Sequence, residues 1–207
     1  MLDAAARRVE VQVVRRIEND SDFYVFTVGA TANPAVGTAV EHLTIEVNNT
    51  YSSRLLRSSL QIAPNIQDLI LMLPGLFPLR LLDGVVFNRL QLFKTNLPHN
   101  RLVTFLSAHQ TLGFLDLGPC GRSQKCSLTS VDLSRIHDIR CPIKCFSTLV
   151  HLGSIRIHGD LTRPKTVVST VLCSFPIAFF AVYTLSLHFN PTDDDIVASI
   201  ARFALMV

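Results

Sequence analysis

Seven times between residues 40 and 187 the chain repeats a short apolar phrase spaced as L-x-x-L-x-L. The phrases are Val40-Leu43-Ile45, Ile66-Leu69-Leu71, Phe87-Leu90-Leu92, Leu112-Leu115-Leu117, Leu128-Val131-Leu133, Leu152-Ile155-Ile157 and Val182-Leu185-Leu187. The last two apolar positions of each phrase alternate with one other residue, the period of a strand with one buried face. The central residues are unevenly spaced, closest between Leu115 and Val131 and farthest between Ile155 and Leu185. Helical spacing fills the gaps. Residues 52–63 carry Leu55, Leu56, Leu60 and Ile62 and stop at Pro64, and residues 99–110 carry Leu102, Val103, Phe105 and Leu106. Residues 164–174 open on Pro164, which suits a first helical turn. A last helix is predicted with Thr192 as its N-cap, Asp193 to Asp195 in its first turn and Ile196, Ile200 and Phe203 as its buried stripe.

One strand and one helix or loop about every 24 residues falls within the roughly 20 to 29 residues of leucine-rich repeats. The expected fold is therefore α/β: a single leucine-rich-repeat solenoid of about seven irregular repeats, with a parallel inner sheet and helices or loops outside. Such repeats place an Asn or Cys three positions beyond the strand, where it satisfies backbone groups as the chain turns away. Asn48, Cys120 and Asn190 stand there, whereas the other repeats carry Pro74, Thr95, Ile136 and Asp160. Residues 40–207 form the repeat domain, and residues 1–39 are a flanking segment readable as a degenerate first repeat. In that segment Val9, Val11 and Val13 alternate like a strand. The chain ends just past the last helix with no polar cap, so the expectation is a truncated stack or an end that another chain covers.

The 207 residues are 48% apolar and 17% charged, which excludes a disordered chain. The net charge is +3, and its one basic cluster, Arg7, Arg8, Arg15 and Arg16, lacks interleaved aromatics, so no nucleic-acid partner is expected. Residues 1–8 lack the apolar stretch of a secretory signal, pointing to the cytoplasm or nucleus. Five cysteines, an odd number, fit reduced thiols in such a compartment. A competing reading comes from residues 167–187, an uncharged run that follows Arg163 and Lys165. That is long enough for a membrane anchor. Against it stand Pro176, several Ser and Thr residues and the completed phrase at Val182-Leu185-Leu187.

Cys120, Cys126, Cys141 and Cys145 could supply four thiolates to a zinc ion, but C-x5-C and C-x3-C are not the usual knuckle spacings. Cys173 reads as a small core residue. No histidine pair, nucleophile elbow, phosphate loop or dinucleotide fingerprint occurs. The reading therefore expects no enzyme, no metal and no cofactor.

If the strands stack in parallel, the residues between inward positions form rows on the concave face. One row would be Thr44, Ile70, Gln91, Asp116, Asp132, Arg156 and Ser186; the next, Glu46, Met72, Phe93, Gly118, Ser134, His158 and His188. Ile70, Met72 and Phe93 form an exposed apolar cluster in this register, with Gln91, Asp116, Asp132, Arg156 and His158 around it. These eight residues are the candidate site for an unknown protein partner.

In its stretch LLRSSLQIAPNIQDLIL at residues 55–71, Leu97-Pro98-His99 and residues 112–117, the chain resembles the leucine-rich-repeat portion of F-box-like proteins of mushroom-forming fungi. The resemblance runs from about residue 40 onward. It implies a substrate-holding role in a ubiquitin ligase, with an F-box docking on the cullin-RING adaptor. Residues 1–40 lack the Leu-Pro-opened helical segment of an F-box, so adaptor binding would need an F-box outside this chain.

Overall fold

A computed structural model describes residues 14–75, 77–121, 126–142, 145, 154–158, 184–188 and 193–204. Strands β1 (Val14–Ile17), β2 (His42–Glu46), β3 (Asp68–Met72), β4 (Leu92–Thr95), β5 (Phe114–Leu117), β6 (Asp138–Pro142), β7 (Ser154–His158) and β8 (Thr184–His188) form one sheet. All pairings are parallel, and spatial order equals chain order. Alternate residues of β2 to β6 are buried and half-exposed, so one face of the sheet belongs to the core and the other meets solvent. An all-parallel sheet is ordinarily covered on both faces. Leaving one face open is what distinguishes this sheet.

The crossovers carry α1 (Asp20–Ala32), α2 (Pro34–Thr38), α3 (Ser53–Gln61) and α4 (Val103–Ala108), and α5 (Ile196–Ala204) closes the described chain. Asn19 caps α1 by accepting the Asp22 N–H at 3.0 Å, while the Asp22 carboxylate accepts the Glu18 N–H at 2.9 Å, so donors otherwise left over at a helix start are satisfied. Asp20 reaches across to accept the Ser52 N–H at 2.8 Å, and Ser52 in turn caps α3. Phe23 and Phe26 of α1, Leu56 and Leu60 of α3, and the inward strand residues Leu43, Ile45, Leu69 and Leu71 share one continuous core. Each such side chain removed from water contributes roughly 1.5–3 kcal/mol. Between α1 and α3, Gly37 lies so close to the Ile62 carbonyl that a Cβ there would collide with it.

Residues 14–39 thus extend the sheet by a full strand and helix. The alternating Val9, Val11 and Val13 lie outside the described residues, as do Arg7 and Arg8. Of the basic cluster, Arg15 stacks over Phe26 at 5.4 Å and Arg16 pairs with Glu18 and Glu46. The helix predicted for residues 52–63 forms at Ser53–Gln61, and residues 99–110 form a 3-10 turn, His99–Arg101, followed by α4. Ile196 is buried in α5, as expected.

Two phrases are displaced. In the fourth strand the inward residues are Phe93 and Thr95, paired with Leu69 and Leu71, and Leu92 lies on the open face. In the sixth they are Ile139 and Cys141; Leu128 is buried as part of a 3-10 turn, Ser127–Ser130, and Val131 and Leu133 are buried in the loop after it. Thr95 and Ile136, which stand at the offset where an Asn or Cys marker was lacking, are buried. With these shifts the inward residues Leu43, Leu69, Phe93, Leu115 and Ile139 follow one another at nearly even intervals. The helix at residues 164–174, with Cys173, Asn190 and Thr192, falls outside the described residues. So does most of the apolar run, but its end, from Thr184, is strand β8. No helix among the described residues is long and apolar enough to cross a membrane.

Candidate functional site

Register aligns Arg16, Thr44, Ile70, Lys94, Asp116, Arg140, Arg156 and Ser186 in one row, which from Arg16 to Arg140 lies on the open face. A second aligns Glu46 with Met72 at one end and Pro142, His158 and His188 at the other. Ile70 and Met72 lie half-exposed on this face, as expected, and Asp116 lies among them. Opposite charges adjoin at Lys94, Asp116 and Arg140, and Arg16 meets Glu46. Arg16 donates to Glu46 at 3.0 Å, and the Asp116 carboxylate stands 4.0 Å from the Lys94 amine and 3.7 Å from the Arg140 guanidinium. His42 and Asp68 face each other at 2.7 Å, and the Arg140 guanidinium covers Phe114. Exposed pairs of this kind contribute about 0–1 kcal/mol each, so the row shapes a surface more than it stabilises the fold.

Three of the eight candidate residues lie elsewhere. Phe93 is fully buried, its ring centroid 4.9 Å from that of Phe105, because the inward pair is Phe93 and Thr95 in place of Leu90 and Leu92, a shift of three residues, and any odd shift turns every side chain over. Lys94 takes the row position assigned to Gln91. Gln91 instead precedes β4, exposed, in an open groove of about 750 Å³ across the starts of β3, β4 and β5, with Asp68, Arg89 and His137. Asp132 is exposed in the loop before β6, where hydrogen bonds from Ser134 hold its carboxyl below the usual value, and Arg140 occupies its place in the row. Arg156 and His158 keep their register positions in β7. Asn96 was missed: its amide accepts the Leu73 N–H at 3.0 Å and donates to the Leu73 carbonyl at 2.7 Å, pinning the chain as it leaves β3.

A second constellation gathers where the chain leaves β4, β5 and β6. His99 opens the turn after β4, Cys120 lies just beyond β5, Cys126 precedes the Ser127–Ser130 turn and Cys145 follows β6. All four are buried, and one ligand atom of each lies within 4.8 Å of all the others. The Gly118 carbonyl can only accept, so the 3.1 Å contact to Nε2 of His99 fixes the proton there. Nδ1 is left with its lone pair facing Cys126 Sγ at 3.1 Å and Cys145 Sγ at 3.6 Å. A hydrogen bond from Cys145, with a further one from the Leu128 backbone, holds the Cys126 thiol well below its ordinary value, and Cys145 is pushed up correspondingly by that bond and by burial. Cys141, one of the four thiols grouped by sequence spacing, points into the core from β6 and is pushed up by burial; His99 takes its place in the cluster. Cys120 therefore faces sulfur and imidazole. Its offset from β5 had suggested a turn marker.

No model of a known protein family matches the chain, and no curated protein matches it.

Proposed function

We propose that the chain is a leucine-rich-repeat solenoid of about seven irregular repeats, of the F-box-associated kind it resembles, and that its open sheet face holds a protein partner. The observation that supports this reading is the register-aligned row from Arg16 to Arg140, with Ile70 and Met72 half-exposed between opposed charges. Apolar contact area ringed by charge is the usual composition of a protein-binding patch, and the groove beside Gln91 continues it along the strand starts. In a ubiquitin ligase the partner held there would be the substrate.

The test is photo-crosslinking in cells with a photoreactive residue at Ile70, compared with the same group at Val28 on the exposed side of α1. A discrete adduct is expected from position 70, absent from 28 and weakened at least several-fold by Lys94→Glu with Arg140→Glu. Equal labelling from both positions refutes the assignment. If the captured protein also loses ubiquitin when Met72→Asp is introduced, the receptor role stands; a captured protein whose ubiquitin level is indifferent leaves a binding module and removes the ligase.

A further inference from the structure

The arrangement of His99, Cys120, Cys126 and Cys145 points to a function no residue of the open face supplies. We propose that these four side chains bind one zinc ion as a closed Cys3His site that ties together the loops leaving β4, β5 and β6. Tetrahedral zinc, with Zn–S near 2.3 Å and Zn–N near 2.0–2.1 Å, requires sulfurs about 3.8 Å apart and nitrogen about 3.6 Å from each sulfur. The Cys145 Sγ to His99 Nδ1 distance is 3.6 Å, that from Cys126 Sγ is 3.1 Å and the whole set lies within 4.8 Å, so rotations of the cysteine side chains that move sulfur by a few tenths of an ångström to about 1 Å would bring the four atoms to tetrahedral spacing.

The surroundings are those a metal-bound imidazole and thiolate need. A ligating histidine characteristically donates its other N–H to a carbonyl or carboxylate, which fixes the tautomer and ring plane. His99 does this through Nε2 to Gly118, whose lack of a side chain lets it press against the Asn96 backbone. Buried thiols by themselves are ordinary core residues. A fully buried imidazole whose free lone pair faces sulfur from two separate loops is not.

Binding is balanced as loss of one proton from each of three thiols and coordination of the neutral Nδ1, with no redox change. Four protein ligands, all buried, leave no position for water or substrate, so the ion is structural. The pattern is H-x20-C-x5-C-x18-C, which no short knuckle motif would reveal.

The full chain, purified under reducing conditions from zinc-supplemented culture, should carry one zinc ion by elemental mass spectrometry. Replacing zinc with cobalt(II) should give the thiolate-to-metal charge-transfer band and visible bands of a tetrahedral thiolate site. Cys126→Ser should lose stoichiometric binding, and Cys141→Ser, which alters a buried thiol outside the cluster, should keep it. A chelator should lower the melting temperature of the wild-type chain and leave that of Cys126→Ser unmoved. Should Cys126→Ser fail to fold, the cobalt spectrum of the wild-type chain decides alone. Metal-free protein with no cobalt band, equal loss in Cys141→Ser, or a mass two protons light from a disulfide within the cluster would each overturn the site.

Discussion

Replacing Phe93 by Ala separates the two registers available to the fourth strand. The ring is fully buried, paired across the strand with Leu69 and packed on Phe105 at 4.9 Å. Removing it deletes nearly the whole apolar side chain and leaves a cavity between sheet and α4, which costs about 3–5 kcal/mol. For a domain of this size that corresponds to a fall of roughly 6–20 °C in melting temperature, at about 2–4 °C per kcal/mol. Met72→Ala, on the half-exposed face, should cost less than about 1 kcal/mol. Urea unfolding followed by circular dichroism measures both, with the m value showing whether the same amount of surface is exposed. A loss below about 1 kcal/mol in Phe93→Ala would mean that the ring stands on the open face, and the register would be wrong.

Three further outcomes follow from single contacts. Asn96→Leu removes both amide bonds to Leu73 and should destabilise by about 1–3 kcal/mol, checked by urea midpoint; an unchanged midpoint would mean that the bonds to the half-buried turn are replaced by water. His109 is buried, accepts the Phe87 N–H at Nε2 and donates from Nδ1 to the Phe105 carbonyl, so burial lowers its pKa and the fold holds it neutral. Its contribution to stability is full above about pH 6.5, the ordinary histidine value, and is lost as pH falls below it; His109→Gln should flatten stability against pH between about 7 and 5, and an unaltered slope would refute the assignment. Gly37→Ala forces a Cβ onto the Ile62 carbonyl, a backbone atom that cannot rotate away, and should lower the melting temperature by several degrees, whereas Gly29→Ala, where nothing lies near, should leave it unchanged or raise it.

The parallel sheet was legible because inward Leu and Ile residues of β2, β3 and β5 coincide with the recurring phrase. The register of β4 was not, because two apolar phrases overlap there: Phe87-Leu90-Leu92 and Leu90-Phe93-Thr95. Burial alone cannot choose between them from sequence, since Phe87 and Leu90 are core residues too. The available clue was that placing Phe93 inward evens the intervals from Leu69 and to Leu115. Helix α1 was hidden for a different reason. Phe23, Phe26 and Ala30 are buried, yet Tyr24, Val25 and Val28 are exposed, so no polar face marks the period. The thiol cluster drew attention through its cysteines, but His99 joins it from the turn after the preceding strand, by way of strand stacking that no local spacing encodes.

Because each strand pairs only with those before and after it, the order of synthesis can also be the order of assembly. A growing chain could complete β1 to β3 with their helices while later strands are still inside the ribosome. The cluster breaks that progression. His99 must wait for Cys145, 46 residues later, before the last side of the pocket exists, an interval of a few seconds at roughly 5–20 residues per second. During that time the turn after β4 has an imidazole and no complete cage, so this stretch would be the point at which a nascent chain is most open to oxidation or to a competing metal.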